Sequence, residues 1–320
     1  MFYLSHFRST CYLYRFTFYL LRLTNNPLKL KKTYMTTPAH SNPVETQINR
    51  ATVTALYYYP VKSCAGIRAD SVQVTPTGIR HDRELMLVES GSNEFLTQRE
   101  LPRMALVRPF IKENSLRLEA PGMPGLEIEM AVEGVSEQAR VWKDTVRVVD
   151  QGREVARWFS DFLKKDCKLV RMVPGFTRQV NQNYALSPAD RVGFADAYQF
   201  LIISDESLAD LNRRLAEPLP MNRFRPNIVI GGSELPFAED MMRRFKLGEL
   251  VFQAVKPCAR CPITTTDQAT AQVGKEPLKT LATFRRGPKG TVMFGQNLIH
   301  ENTGTLRVGA PVEVLALKEN

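Results

Sequence analysis

Lys256-Pro257-Cys258-Ala259-Arg260-Cys261-Pro262-Ile263-Thr264-Thr265-Thr266-Asp267 follows an apolar run, Leu250 to Val255, that reads as a strand. Two cysteines stand three positions apart, with a cationic arginine between them and a cluster of hydroxyls after them. A neighbouring cation favours thiolate over thiol, and the thiolate is the form that binds soft metals or attacks electrophiles. Three plainer readings compete. A structural zinc needs four ligands, but the other cysteines are solitary and His6, His40, His81 and His300 show no ligand spacing. A thioredoxin-like dithiol opens a helix in a βαβ setting, whereas Pro262 and three threonines follow here. Two buried structural cysteines would account for the pair if it stood alone.

It does not stand alone. Arg223-Phe224-Arg225-Pro226-Asn227 places two guanidinium groups and a carboxamide at the entry to the strand Asn227 to Ile230. Arginine suits phosphate because its planar fork donates two hydrogen bonds to one anion. Lys62-Ser63 lies in a loop ahead of Gly66, where an ammonium, a hydroxyl and backbone amides can converge on an anion. Asp82-Arg83 and Thr97-Gln98-Arg99 add further candidates. Each of these taken singly reads as a solvated surface patch.

Outward from these motifs, the hydrophobic pattern predicts a β-rich first half. Val53 to Tyr59 is β-branched and aromatic and ends at Pro60. Short strand signals follow at Ser71 to Val74, Glu84 to Val88, Leu106 to Ile111, Leu116 to Glu119, Leu126 to Met130 and Thr145 to Val149. Their spacing fits a small barrel or sandwich. After Gly152 the period changes: Val155, Trp158, Phe159, Phe162 and Leu163 recur at helical spacing and form a core-facing stripe. Further on, Phe200 to Ile203 reads as a buried strand and Ser204 as the cap of a helix from Asp205 to Leu215. Ala238 to Phe245 and Pro277 to Arg285 read as helices, and Val292 to Ile299 and Leu306 to Leu315 as closing strands. The ordered part is expected to begin near Thr52, with a boundary near residue 170 that no Gly/Ser linker marks.

The chain has 320 residues, 43% of them hydrophobic and 24% charged, and a net charge of +10. That length holds one large domain or two medium ones. The positive excess could suggest nucleic acid, but six of the basic residues fall within residues 1–34, which contain no acid; without them the balance is +4. No arginine-rich helix or nucleic-acid motif is present, so nucleic acid is not an expected partner. Five cysteines, an odd count without a secretory cleavage pattern, predict a reducing, cytoplasmic setting. The longest apolar candidate, Tyr12 to Leu21, is too short for a membrane span and carries Arg15. Residues 1–34 read either as a presequence or surface anchor or as a mis-called start, with Met35 opening the true chain and a frayed polar lead.

The motifs Pro60-Val61-Lys62-Ser63-Cys64-Ala65-Gly66, His81-Asp82-Arg83, Arg223-Phe224-Arg225-Pro226-Asn227, Lys256-Pro257-Cys258-Ala259-Arg260-Cys261, Lys275-Glu276-Pro277-Leu278-Lys279-Thr280-Leu281 and Phe294-Gly295-Gln296-Asn297 occur in this order. The chain thereby resembles MOSC proteins, in particular the bacterial YcbX type and the mitochondrial amidoxime-reducing components. The resemblance covers about residues 52–316. It implies an α+β, β-rich fold: an N-terminal β-barrel-like MOSC-associated domain over 51–170, packed on a MOSC β-barrel domain with flanking helices over 171–317, after a leader over 1–50 that is disordered or mis-called. It also implies a molybdenum cofactor, with Cys261 as the protein's metal ligand and Lys62, Ser63, Arg83, Arg225 and Asn227 lining the pterin and its phosphate. Asp196 falls near the family's active site, and Cys258 is expected to pack rather than ligate.

In one respect the chain departs from the YcbX type, which often carries a C-terminal ferredoxin domain. No Cys-x4-Cys-x2-Cys run occurs, so no iron–sulfur cluster is assigned and electrons are expected from a separate protein of ferredoxin, flavoprotein or cytochrome b5 kind. The implied activity is the reduction of small N-hydroxylated compounds, hydroxylamines or amidoximes. Two alternatives remain open: a sulfur-transfer role, since MOSC domains also occur in cofactor sulfurases, and a carrier of the cofactor without turnover.

Overall fold

The computed structural model describes residues 42–131 and 133–319; the basic leader and the proposed start at Met35 lie outside the described residues. The described chain forms one compact unit, built mostly of antiparallel strands.

The largest sheet has eight strands. In spatial order they are Ile67–Ala69, Thr52–Tyr58, Ile228–Gly231, Phe200–Ser204, Met293–His300, Leu250–Ala259, Met242–Leu247 and Val312–Leu317. It therefore takes strands from both sides of residue 170. Ile228–Gly231 and Phe200–Ser204 lie at its centre and are buried along their whole length, which is why they read as continuous apolar runs. They are the parallel pair, with Ile202 opposite Ile228. A parallel pair needs a crossover, and helix Asp205–Asn212 supplies it, capped by the Ser204 hydroxyl, which accepts from the Ser207 amide at 3.1 Å. The chain returns from this crossover through Arg223 and Arg225, so the geometry of the central pair delivers both arginines to the mouth of the sheet.

A second sheet joins Leu85–Glu89, Cys167–Met172, Asp144–Asp150 and Ser136–Val141. Helix Arg153–Leu163 covers the core beside it with Val155, Trp158, Phe159, Phe162 and Leu163, the stripe legible in the sequence. Two three-stranded sheets complete the framework, Arg108–Lys112 with Ser115–Glu119 and Leu126–Glu129, and Gly304–Arg307 with Ser71–Thr75 and Gly78–Ile79. The expected β-rich α+β class is the one found.

Three expectations need correction. Order begins before Thr52: Pro43–Ile48 is a helix capped by Asn42, and its Ile48 is wholly buried in the core of the large sheet. Only Ala238–Met241 is helical in the segment expected as a helix to Phe245; Met242–Leu247 is a strand. Its Met242, Phe245 and Leu247 are buried, and pairing on both sides, with Leu250–Ala259 and Val312–Leu317, overrides local preference. The expected last strand is two, Gly304–Arg307 and Val312–Leu317, broken by a turn at Gly309 with φ 84°.

Candidate functional site

The seven candidate residues, Lys62, Ser63, Arg83, Asp196, Arg225, Asn227 and Cys261, line one open cleft of about 290 Å³. They come from five separate stretches of chain, which the sheets bring together.

Tyr59 organises the floor. Its buried ring carries the Arg83 guanidinium at 4.2 Å and that of Arg225 at 4.3 Å, and its hydroxyl donates to the Pro226 carbonyl at 2.9 Å. Two cations over one ring gain from its negative face. Gly66 makes room for that ring: a Cβ there would lie 2.8 Å from Tyr59 Cδ1. The glycine of the Pro60–Gly66 motif is thus a packing requirement of the arginine pair. Arg83 is further held by Asp82 at 2.5 Å and by Asn227 Oδ1 at 3.1 Å. Asn227 in turn ties three strands, accepting from the Leu201 amide at 3.3 Å and donating to the Tyr57 carbonyl at 3.2 Å.

Arg225 contrasts with its neighbour Arg223. Arg223 spends its donors on the carbonyls of Thr264, Thr265 and Glu276 and on Asp267, and so pins the turn that follows Cys261. It is a structural residue, not the second anion contact expected from the motif. Arg225 is 9% exposed, and its side chain makes one hydrogen bond among the described residues, to Gln268 Oε1 at a long 3.4 Å. Burial lowers it to about 10, with Tyr59 opposing the shift. A desolvated guanidinium without a carboxylate is costly unless an anion completes it. Ser63, Arg83 and Arg225 all hold left-handed backbone, with φ of 67°, 50° and 54°. Such residues cost on the order of 1–3 kcal/mol each and cluster at functional sites.

Strand Leu250–Ala259 runs through Cys258, with register breaks against Met293–His300 between Ala254 and Lys256 and between Pro257 and Ala259. Bulges of this kind re-aim side chains, and Asn297 Nδ2 supports them by donating to the Lys256 carbonyl at 3.2 Å. Gly295 opposite them is required by a close approach: at φ 80°, its Cβ would meet the Ile202 carbonyl at 2.8 Å. Cys258 packs with the cluster around Phe224 and Leu281 and receives Arg260 Nη1 at 3.1 Å. Cys261 caps the 3-10 turn Pro262–Thr265, with its carbonyl accepting from Thr264 N and Oγ1. Its sulfur receives Arg99 Nη2 at 3.3 Å. The cation at Cys261 is therefore Arg99, 162 residues distant in sequence, while Arg260, the sequence neighbour, serves Cys258 and the Phe224 carbonyl.

Asp196 sits at the mouth with its side chain 54% exposed. Lys62 Nζ bonds both its carboxylate and the Phe194 carbonyl, and Trp142 Nε1 donates to it at 3.2 Å. Desolvation works against its charge, but Lys62 above all, with Arg99 and Trp142, holds the carboxyl well below the usual carboxylate range. Arg178 braces the loop beneath by donating to the carbonyls of Gly193 and Ala195. Tyr59, Trp142, Gln268 and Arg178 escaped the sequence reading because their partners are far away along the chain. The glycine of Pro60–Gly66 was the available signal for Tyr59.

Residues 50–166 match the MOSC N-terminal beta barrel domain and residues 189–313 the MOSC domain. The chain is 34% identical over 283 residues to mouse mitochondrial amidoxime-reducing component 1, covering 82% of each. It belongs to the MOSC family. The human mitochondrial amidoxime-reducing component 1 is 33% identical over 281 residues, 82% of this chain and 83% of that one. The molybdenum cofactor sulfurase of Arabidopsis thaliana is 34% identical over 274 residues, which are 76% of this chain but 32% of the sulfurase. Among the described residues, no helix is long and apolar enough to cross a membrane.

Proposed function

We propose that the cleft holds a molybdenum–pterin cofactor and that the chain reduces N-hydroxylated compounds with electrons from a separate donor protein. The observation that carries this reading is Arg225, a buried guanidinium with one long hydrogen bond, in the same cleft as the thiol of Cys261. The donor chemistry suits such a group. No three His, Cys, Asp or Glu side chains converge to hold a metal ion among the described residues, so a metal here would draw on one protein sulfur and bring its remaining ligands with it. That donor set is equally unlike the four-ligand cage of a structural zinc.

When bound, the cofactor would supply a soft metal centre that abstracts an oxygen atom and exchanges two electrons. Cys261 would hold the metal. Arg225 and Arg83, seated on Tyr59, would hold the phosphate and pterin with the Ser63 loop, and Asn227 would keep Arg83 in place. Lys62 would fix Asp196, whose ionised carboxylate at the mouth would accept from a substrate N–H. The overall change balances as a hydroxylamine plus two electrons and two protons giving amine and water, with the N–O bond broken.

The test starts with molybdenum and pterin analysis of purified protein. The expected result is that both are present, that reduced viologen supports reduction of an N-hydroxylated compound, and that NADH or NADPH alone does not. Absence of both metal and pterin sinks the reading. Metal without reduction points to a carrier, and sulfur transfer without reduction to the role that the sulfurase relatives carry in their name.

A further inference from the structure

Arg99 is held from three sides at the point where the metal ligand and the mouth of the cleft meet. Its Nη2 lies 3.3 Å from Cys261 Sγ and 3.8 Å from Asp196 Oδ2, and its guanidinium lies 4.9 Å from the centre of the Trp142 ring. Trp142 is itself fixed. It occupies the tip of the hairpin between Ser136–Val141 and Asp144–Asp150, in left-handed backbone at φ 56°, and packs on Phe95 at 4.9 Å. The Arg99 amide bonds Thr97 Oγ1 at 3.2 Å. Such anchoring removes the rotamer freedom that an arginine on a loop would otherwise keep.

A guanidinium carries five N–H donors in a rigid fork. Among the described hydrogen bonds the Arg99 side chain uses one donor, toward the sulfur. The side chain is 23% exposed and borders the same cleft as Cys261, so it has donors over that no described protein group takes up by a hydrogen bond. No other cation among the described residues makes a hydrogen bond to the Cys261 thiol.

We propose that Arg99 is a catalytic residue that donates a hydrogen bond to the oxygen of the substrate N–OH group and holds it toward the Cys261 side of the cleft; this rests on the function proposed above. As the N–O bond breaks, the oxygen gains electron density, and a fixed cationic donor at that position stabilises it more than it stabilises the ground state. Arg99 does not give up its proton; it orients the oxygen, and the two protons of the reaction come from solvent.

Calorimetric titration of the loaded, oxidised protein without an electron donor compares N-phenylhydroxylamine with aniline, which differ in the oxygen alone. Wild type is expected to bind the hydroxylamine more tightly. Arg99→Ala should weaken the hydroxylamine about tenfold, leave aniline unchanged and retain molybdenum and pterin, and kcat/KM with reduced viologen should fall about a hundredfold. Arg99→Lys should recover part of both losses, since it keeps the charge without the fork. If Arg99→Ala binds and reduces the hydroxylamine as wild type does, the assignment is overturned. Loss of metal and pterin in Arg99→Ala also overturns it, making Arg99 a cofactor contact. A wild type devoid of molybdenum and pterin overturns the proposed function as well, so the two failures are distinguishable.

Discussion

Arg223 and Arg225 stand two positions apart on one return loop, and they meet opposite surroundings. Arg223 is saturated by three carbonyls and Asp267, whereas the Arg225 side chain is also buried and has one long hydrogen bond. Cys258 and Cys261 differ in another way at the end of a strand: both border the cleft, but the first packs beside Phe224 and Leu281 and accepts from Arg260, its near neighbour in sequence, whereas the second accepts from Arg99, far away along the chain. Among the arginines one has its donors spent on the wall and the other keeps donors over; among the cysteines the packing and the cation at the sulfur differ. Residue type does not separate them. For the arginines, what separates them is whether the fold has already used their polar atoms; for the cysteines, it is what surrounds the sulfur.

The sharpest way to break this contrast is to remove each sulfur in turn. Cys261→Ala is expected to abolish reduction of N-hydroxylated compounds, with pterin partly retained because the arginine contacts lie elsewhere. Cys258→Ala should keep most activity and lose about 1–2 kcal/mol of packing. Molybdenum X-ray absorption on the two variants decides: the protein-supplied sulfur signal should vanish in the first and persist in the second. Loss in both, as a zinc site or a redox dithiol requires, would erase the distinction between wall and ligand.

The arginines offer a second, smaller separation, this time in stability. Arg223→Ala leaves carbonyls and Asp267 without their partner and should cost roughly 3 kcal/mol, read as a lower midpoint in urea. Arg225→Ala should lower pterin content while leaving the urea midpoint of cofactor-free protein unchanged or higher, because it removes a desolvated charge with little to compensate it. Equal destabilisation by the two substitutions would mean that Arg225 is as structural as its neighbour.

The limits of the sequence follow the same line. The stripe of helix Arg153–Leu163 and the central strands were legible because one period or one apolar run dominates each. Ser136–Val141 was not, because only Ala139 and Val141 of its residues are buried and its identity depends on pairing with Asp144–Asp150. Met242–Leu247 was misread because its apolar residues fit a helix until two neighbouring strands claim it. In the cleft, the motifs named the residues that gather there. They did not give the assignment of Arg99 to Cys261, or of Arg223 to the turn after it, since carbonyls and sulfurs more than 40 residues away decide both.

The smallest effect concerns the thiols that belong wholly to the wall. Burial pushes Cys64 up to about 12 and Cys167 to about 11. Both lie in the core under helix Arg153–Leu163, and Cys64 directly follows the Ser63 loop. In the unfolded chain a thiol gives up its proton near 8.5. Between that value and the folded ones, the native state keeps protons that the unfolded state has lost. Their contribution to stability is therefore full below about 8.5 and falls as pH rises toward the folded values. Cys64→Ala removes one of these groups, so the loss of stability between pH 8 and 10 should be shallower in the variant than in wild type, even if the variant starts lower from its small cavity. In the same pH range, mass-spectrometric mapping of brief alkylation of the folded, cofactor-free protein should mark Cys258 and Cys261 before Cys64 and Cys167, since the first two are partly exposed and the others are buried. Equal labelling of all four thiols would show that the core opens as readily as the cleft.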